Sequence, residues 1–314
     1  MQTFHTLEGI GEINTGLHLA LGVFDGVHIG HQAVIKSVVE AAEREGGIAG
    51  VLTFDPHPIR LLAPHVAPQR ILASLNHKKE LLDQLGVKVL VVIPFTEAFS
   101  KIEALEFLNA LSRACVDLRT LAMGKDWKFG HQRGGDLSLL ENFGKQCDVQ
   151  VRAADAVILD GERVSSTRIR QAIRDGNMPA VTAMLGREYS VLGTVIEGRK
   201  LGRELGFPTA NLRVYNEQLP MDGVWAVDVT LANGAVYRGA GNLGLKPTLE
   251  NEGERRILEI HLLDFEGDLY GSDIVVHFAK HLRDEKKFDS LEELKKQIKK
   301  DVELCRRVKS PRIS

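Results

Sequence analysis

Apolar positions in the first half of the chain gather into short unbroken runs, separated by stretches in which they recur every three or four residues. The runs at 17–24, 48–54, 87–95 and 118–124 lack alternation, as strands buried on both faces of a parallel sheet do. Between them, 32–42, 75–86 and 104–113 have helical spacing, and Gly86 is a helix stop. Strand, helix and strand in turn make right-handed β-α-β units, whose ligands bind outside the carboxyl ends of the strands. A short helix at 179–185 ends at Gly186, and the pattern then changes. Short runs at 189–197, 223–231, 235–241, 257–263 and 272–282, broken by glycine turns, have the spacing of an antiparallel barrel. At the end of the chain Ser290 and Glu293 stand at capping-box spacing, and Leu291, Leu294, Ile298, Val302 and Cys305 recur on one face, which predicts an amphipathic helix docked on the barrel. The expected organisation is an α/β domain over 1–184 and an antiparallel β-barrel with a C-terminal helix over 185–314.

A length of 314 residues suits two such cores better than one. A net charge of −2 argues against a general binder of nucleic acid or membrane surfaces. The first residues have neither the basic flank nor the apolar core of a leader, and no segment has the length of a membrane span, so the expected location is the cytoplasm. Cys115, Cys147 and Cys305 are too few and too far apart for a disulfide framework or a zinc site and are expected to be free thiols.

The chemistry begins where the first apolar run breaks. Gly22, Gly26 and Gly30 punctuate the turn, and His28 and His31 stand three residues apart at the start of the next helix. Unpaired N–H groups and the positive dipole end favour an anion there, and two imidazoles add donors beside it. A bare His-x-x-His also serves as a structural turn or a metal pair; its place between a strand and a helix makes it a phosphate site. Ser165-Ser166-Thr167-Arg168-Ile169-Arg170, hydroxyls followed one turn later by guanidinium groups, reads by itself as a Ser/Thr helix cap with surface arginines, and beside the histidine turn as a second phosphate cradle.

Strand, His-x-Gly-His turn and helix resemble the signature of the nucleotidylyltransferase superfamily. The fuller form, Gly22-x-Phe24-Asp25-Gly26-Val27-His28-x-Gly30-His31-Gln32, resembles the first motif of the prokaryotic bifunctional riboflavin kinase/FAD synthetases. Thr53-Phe54-Asp55-Pro56-His57-Pro58 is similar to that family's second motif, and 124–135 to its Gly-x-Asp/Asn-Phe-x-Phe-Gly-x-x-Arg-x-Gly segment, with Trp127 where phenylalanine is usual. In the second half, Gly198-x-x-x-Gly202-x-x-x-Gly206-Phe207-Pro208-Thr209-Ala210-Asn211 resembles the riboflavin kinase motif, and 241–248 its second loop, with Lys246 where arginine is common.

The resemblance implies a nucleotidylyltransferase-like, Rossmann-like first domain and a riboflavin kinase barrel. It implies that His28, His31 and Arg170 act on a triphosphate, with Gly22, Phe24, Gly30, Asp126, Arg133, Ser165, Ser166, Thr167 and Arg168 on the ATP side. Phe54, Pro56, His57, Pro58 and Phe129 would line the flavin. In the barrel, Gly198, Gly202, Gly206, Pro208, Thr209 and Asn211 would hold ATP, with Thr209 and Asn211 on Mg²⁺. Glu259 would be the base toward the 5′-hydroxyl of riboflavin; strand alternation puts it on one face with His261. The implied substrates are riboflavin, FMN and ATP, handled by a monomer or weak homo-oligomer. Two other readings stay open on the sequence: a single adenylyltransferase whose barrel only binds flavin, and a regulatory flavin binder.

Overall fold

The computed structural model describes residues 1–65, 71–198, 202, 205–215, 218–247, 254–310 and 312. They form two compact units, Met1–Ile71 with Leu75–Ser166, and Leu72–Ser74 with Thr167–Ser314.

The first unit holds strands β1 (Gln2–Phe4), β2 (Leu17–Leu21), β3 (Ile48–Asp55), β4 (Val89–Pro94), β5 (Leu118–Gly124) and β6 (Gln150–Ala154). They form one parallel sheet in the order β1-β4-β3-β2-β5-β6. The order reverses at β2, so a ligand crevice opens at the carboxyl ends of β2 and β5. Helices α1 (Ile29–Glu45), α2 (Ile59–Leu62), α3 (Leu75–Gln84), α4 (Glu97–Ser100), α5 (Ala104–Ala114) and α6 (Leu137–Cys147) connect the strands. Phe107, Leu108 and Leu111 of α5 and Leu140 and Phe143 of α6 pack with Leu17, Leu19, Leu21, Leu121 and Met123 of the sheet. After β6 come a hairpin, β7 (Ile158–Leu159) with β8 (Glu162–Arg163), and the helices α7 (Ser166–Arg174) and α8 (Met178–Leu185).

A buried bolt steadies the central strand. His18 of β2 and Thr120 of β5 are fully buried; His18 Nδ1 is 2.8 Å from the Thr120 hydroxyl and Nε2 is 3.2 Å from the Gly46 carbonyl. The carbonyl only accepts, so Nε2 carries a proton and β2 is tied to the end of α1. Thr120→Val keeps the shape but strips Nδ1 of its partner, and should lower unfolding stability by about 1–3 kcal/mol in urea titrations.

The second unit, which takes in α7 from Thr167 and all of α8, contains a closed antiparallel barrel. Its strands are β9 (Ser190–Ile196), β10 (Ala210–Val214), β11 (Gly223–Leu231), β12 (Val236–Pro247), β13 (Glu254–Leu262) and β14 (Asp273–Arg283), in the order β10-β13-β12-β11-β14-β9. Five were expected; β10 has one buried residue, Leu212, too weak a pattern to read as a strand. The helix Leu291–Arg307 begins where expected, with the Ser290 hydroxyl accepting from Glu293 N–H at 3.2 Å. Its inward face is the expected one at Leu294, Ile298, Val302 and Cys305, with Asp301 added and Leu291 left outside. Leu291 is 58% exposed, while Asp301 is buried because the Arg283 guanidinium meets it through two nitrogens, at 2.7 and 3.0 Å. Cys305 packs against Ala226 and Leu263. The three cysteines are free, and burial pushes the Cys115 thiol up to about 11 and that of Cys305 up to about 12. Among the described residues no helix is long and apolar enough to cross a membrane.

Candidate functional site

The chain leaves β2 in an unusual backbone conformation. Phe24 and Val27 both have positive φ, 51° and 43°, which is rare for such residues and persists only where the surroundings enforce it. Val27 N–H donates to the Phe24 carbonyl at 3.3 Å, and the Gln32 side-chain amide donates to the Val27 carbonyl at 3.0 Å. Phe24 is buried, and a Cβ on Gly22 would come within 2.9 Å of its ring, so only glycine fits there.

His28 is the N-cap of α1, its Nδ1 accepting from His31 N–H at 3.3 Å. With Nδ1 so engaged, the ring carries its proton on Nε2. The two imidazoles stack, centroids 3.6 Å apart and planes 18° from parallel, and the Phe24 ring meets His31 edge-on at 5.4 Å. His31 is half-buried and its Nδ1 has no hydrogen-bond partner among the described residues. Burial, followed by the fields of His28, Lys78 and Arg163, holds its pKa well below the ordinary imidazole value. The pair therefore places two imidazoles at a helix N-terminus, His31 with Nδ1 unpartnered among the described residues, which suits an incoming polyanion.

The other residues predicted for this activity lie on β3, in the loops after β3 and β5, and about α7, whose residues from Thr167 belong to the second unit. Phe54 ends β3 buried, its ring 5.7 Å from those of Phe95 and Phe99. The row continues through Phe107 to Phe129, which is buried and stacks on Trp127 at 5.4 Å. Phe54 and Phe129 are thus the two ends of a packed aromatic row. His57 is half-buried with Nδ1 accepting from Ile59 N–H at 3.2 Å, Pro58 is half-buried and Pro56 exposed. Asp126 and Arg133 lie exposed in the loop after β5, and Asp126 pairs with Arg163 at 2.8 Å. The Ser166 hydroxyl donates to the Asp25 carbonyl at 2.9 Å, tying the start of α7 to the histidine turn. Ser165 and Arg168 are half-buried, Thr167 is exposed, and Arg170 is buried one turn along α7.

Sequence reasoning passed over Lys78 and Arg163. The signal for Lys78 was available: it stands three and four residues before Leu81 and Leu82, on the apolar face of α3, where lysine is out of place. Arg163 sits on a two-residue strand with no periodicity to mark it.

In the barrel, Glu259 of β13 lies in register between Asn211 of β10 and Asn242 of β12, so the three side chains share one face. Leu258 and Ile260 are fully buried on the opposite face, which bears out the alternation expected for Glu259 and His261. His261 Nδ1 donates to the Pro208 carbonyl at 2.8 Å, and its ring meets Phe207 edge-on at 5.4 Å, fastening the Phe-Pro-Thr segment beside Glu259. Thr209 and Asn211 line a cavity of about 320 Å³ together with Gly198, Pro208 and Asp268. Gly206 has φ +85°, and a Cβ on Gly202 would collide with the Phe207 carbonyl. Residues 199–201 and 203–204 of the glycine loop, and Thr248 of the second loop, lie outside the described residues.

A hydroxyl and an amide oxygen at one cavity wall are hard donors of the kind Mg²⁺ accepts alongside phosphates and water. Among the described residues no group of three His, Cys, Asp or Glu side chains is placed to hold a metal, so such an ion would rest on Thr209, Asn211 and substrate oxygens. Gly198 leaves the space they need, since a Cβ there would collide with the Asn211 amide. Gly198→Ala should, through this displacement, slow the riboflavin phosphorylation that the resemblance implies by about 10²-fold, and leave the implied adenylylation of supplied FMN unchanged, in assays run on one preparation.

Two family models match the chain: FAD synthetase over residues 11–168 and riboflavin kinase over 185–309. Curated relatives named bifunctional riboflavin kinase/FMN adenylyltransferase match at full length. That of Haemophilus influenzae is 35% identical over 306 residues, 98% of both chains. That of Escherichia coli K12 is 37% identical over 286 residues, 91% of this chain and 90% of the relative. A crystal structure from Streptococcus pneumoniae, titled a macrolide-efflux protein, superposes with a TM-score of 0.83 at 31% identity, over 98% of this chain and 99% of that one.

Proposed function

The chain belongs to the bifunctional riboflavin kinase/FMN adenylyltransferase family, and from that premise we propose how its residues divide the work. The protein phosphorylates riboflavin to FMN with ATP, and adenylylates FMN to FAD with release of pyrophosphate. We place the boundary between the activities at 184/185, one residue before α8 ends against Gly186 in the left-handed conformation.

In the kinase, the 5′-hydroxyl oxygen of riboflavin attacks the γ-phosphorus of ATP, ADP leaves, and Glu259 takes the hydroxyl proton. Thr209 and Asn211 would hold Mg²⁺, which supplies neutralising charge to the phosphates. Asn211 and Asn242 flank Glu259, and His261 keeps the Pro208-Thr209 backbone at its side.

In the adenylyltransferase, an FMN phosphate oxygen attacks the α-phosphorus of a second ATP and pyrophosphate leaves, with no covalent intermediate. His28 and His31 donate to the triphosphate from the N-terminus of α1, and Ser165, Ser166, Thr167, Arg168 and Arg170 supply the second cradle. Asp126, Arg133 and the backbone about Gly22, Phe24 and Gly30 complete the ATP side. Phe54, Pro56, His57, Pro58 and Phe129 form the flavin side. The observation that carries this half is the stacked histidine pair at the N-terminus of α1, beyond the carboxyl end of β2. A need for ATP at both sites supports a cytoplasmic location.

Chromatography of the products of riboflavin, ATP and Mg²⁺, repeated with FMN in place of riboflavin, tests the reading. FAD from both, with FMN as a transient in the first, is the expected result. FMN alone would refute the role given to the histidine turn, and FAD only from supplied FMN would leave the barrel as a binding module.

A further inference from the structure

We infer that Lys78 is a positioning residue for adenylyl transfer: a buried cation that fixes the nucleotide turn after β2 against the flavin loop after β3. The inference rests on the adenylyltransferase reading of the His28/His31 turn.

Lys78 is 6% exposed on α3. Its ammonium donates to the Val23 carbonyl at 2.8 Å and lies 3.4 Å from the Thr53 hydroxyl, which itself donates to Val23 O at 2.8 Å. Two donors thus converge on the carbonyl of the residue at which the chain enters the left-handed Phe24 conformation. Register between β2 and β3 ends at Leu21 and Leu52, followed by a backbone link from Gly22 N–H to Leu52 O at 3.2 Å. Beyond that point the side chains of Lys78 and Thr53 join the two segments. Thr53 stands two residues before Asp55, where the Pro56-His57-Pro58 loop departs. The charges felt by the ammonium are divided in the same way, Asp25 on the nucleotide turn and Asp55 at the flavin loop.

An apolar side chain would fill this place on α3 without the desolvation that burying an ammonium entails. What the ammonium adds is a directed link between two loops that carry different substrates. In-line attack requires the FMN phosphate oxygen to stand about 3–3.5 Å from the ATP α-phosphorus, and a misplacement of about 1 Å can cost about 10²-fold, so a link that sets the loops' separation acts on the rate. Lys78 does this from beneath the turn, with its nitrogen engaged by Val23 and Thr53.

The test uses full-length Lys78→Met, Lys78→Arg and Thr53→Val proteins, with His31→Ala as a control. FAD formation from FMN, resolved into kcat and KM, is measured beside FMN formation from riboflavin on the same preparations. Lys78→Met should lower the adenylylation kcat by about 10²-fold, change KM for ATP and FMN by less than about fivefold, and spare FMN formation. Lys78→Arg should recover about tenfold of that loss, since charge is retained at altered length. The acid limb of kcat/KM should move to higher pH in Lys78→Met, because loss of the Lys78 charge removes one of the fields that hold the His31 pKa down. Adenylylation within about threefold of wild type in folded Lys78→Met, or no recovery in Lys78→Arg, would overturn the inference. If Lys78→Met does not fold, Thr53→Val decides: a kcat loss of about tenfold supports the link, and an unchanged rate overturns it. FAD formation that survives His31→Ala would overturn the reading of the turn itself, and the inference with it.

Discussion

Replacing His31 by alanine is expected to lower FAD formation from FMN by about 10²- to 10³-fold, as loss of a preorganised donor to developing charge does in other enzymes. FMN formation from riboflavin should continue at the wild-type rate, because the kinase residues belong to the barrel. The stacked geometry gives His31 a further part, since its ring lies over His28 at 3.6 Å and fixes the plane in which the His28 Nε2 proton is presented. Removing it both deletes a donor and frees a neighbour, so His31→Ala should cost at least as much as His28→Ala, and the double variant little more than either. A pH experiment separates this from a fold defect. The His31 pKa lies well below the 6.5 of an ordinary imidazole, so between the two values the unfolded chain binds the proton and the native protein does not. Stability is therefore held above pH 6.5 and lost as the pH falls below it. His31→Ala should show a shallower fall in melting temperature from pH 7 to pH 5 than wild type, with the same barrel activity at pH 7. A steeper fall, or loss of both activities together, would mean that the ring holds the fold rather than the phosphate.

The sequence was most legible where one physical rule dominated. Unbroken apolar runs gave β2 to β5 within a few residues because parallel strands are buried on both faces, and β5 was placed at 118–124 as found. The histidine turn was legible because strand, glycines and helix frame it in a single stretch of chain. What escaped was set by contacts distant in sequence. β10 is a strand only because β9 and β13 pair with it. Asp301 is buried on the last helix because Arg283, on another element, neutralises it. Phe54 and Phe129 could be named as candidate ring contacts, but the packing that joins them through Phe99 and Phe107 depends on four separate segments. Lys78 was readable as a misplaced lysine, whereas its partners, Val23 and Thr53, lie 55 and 25 residues away.

Glu259→Gln is expected to reduce FMN formation by about 10²- to 10⁴-fold, the range over which a general base contributes, and to leave FAD formation from supplied FMN intact. The glutamine matches the carboxylate in size and can still accept a hydrogen bond, so Leu258 and Ile260 keep their places in the barrel core and Asn211 and Asn242 keep a neighbour between them. A fall confined to kcat, with KM for ATP near the wild-type value, would assign the lost function to the proton of the 5′-hydroxyl. A rise in KM with kcat preserved would make Glu259 a binding group instead. Thr209→Val is the complementary case: it leaves the base in place and removes an oxygen donor from the cavity wall, so its defect should be partly relieved by raising Mg²⁺, while that of Glu259→Gln should not respond. Relief of both by Mg²⁺ would place Glu259 among the groups that hold the metal and its phosphates. Relief of neither would move the metal off Thr209, leaving Asn211 and the substrate oxygens to bind it.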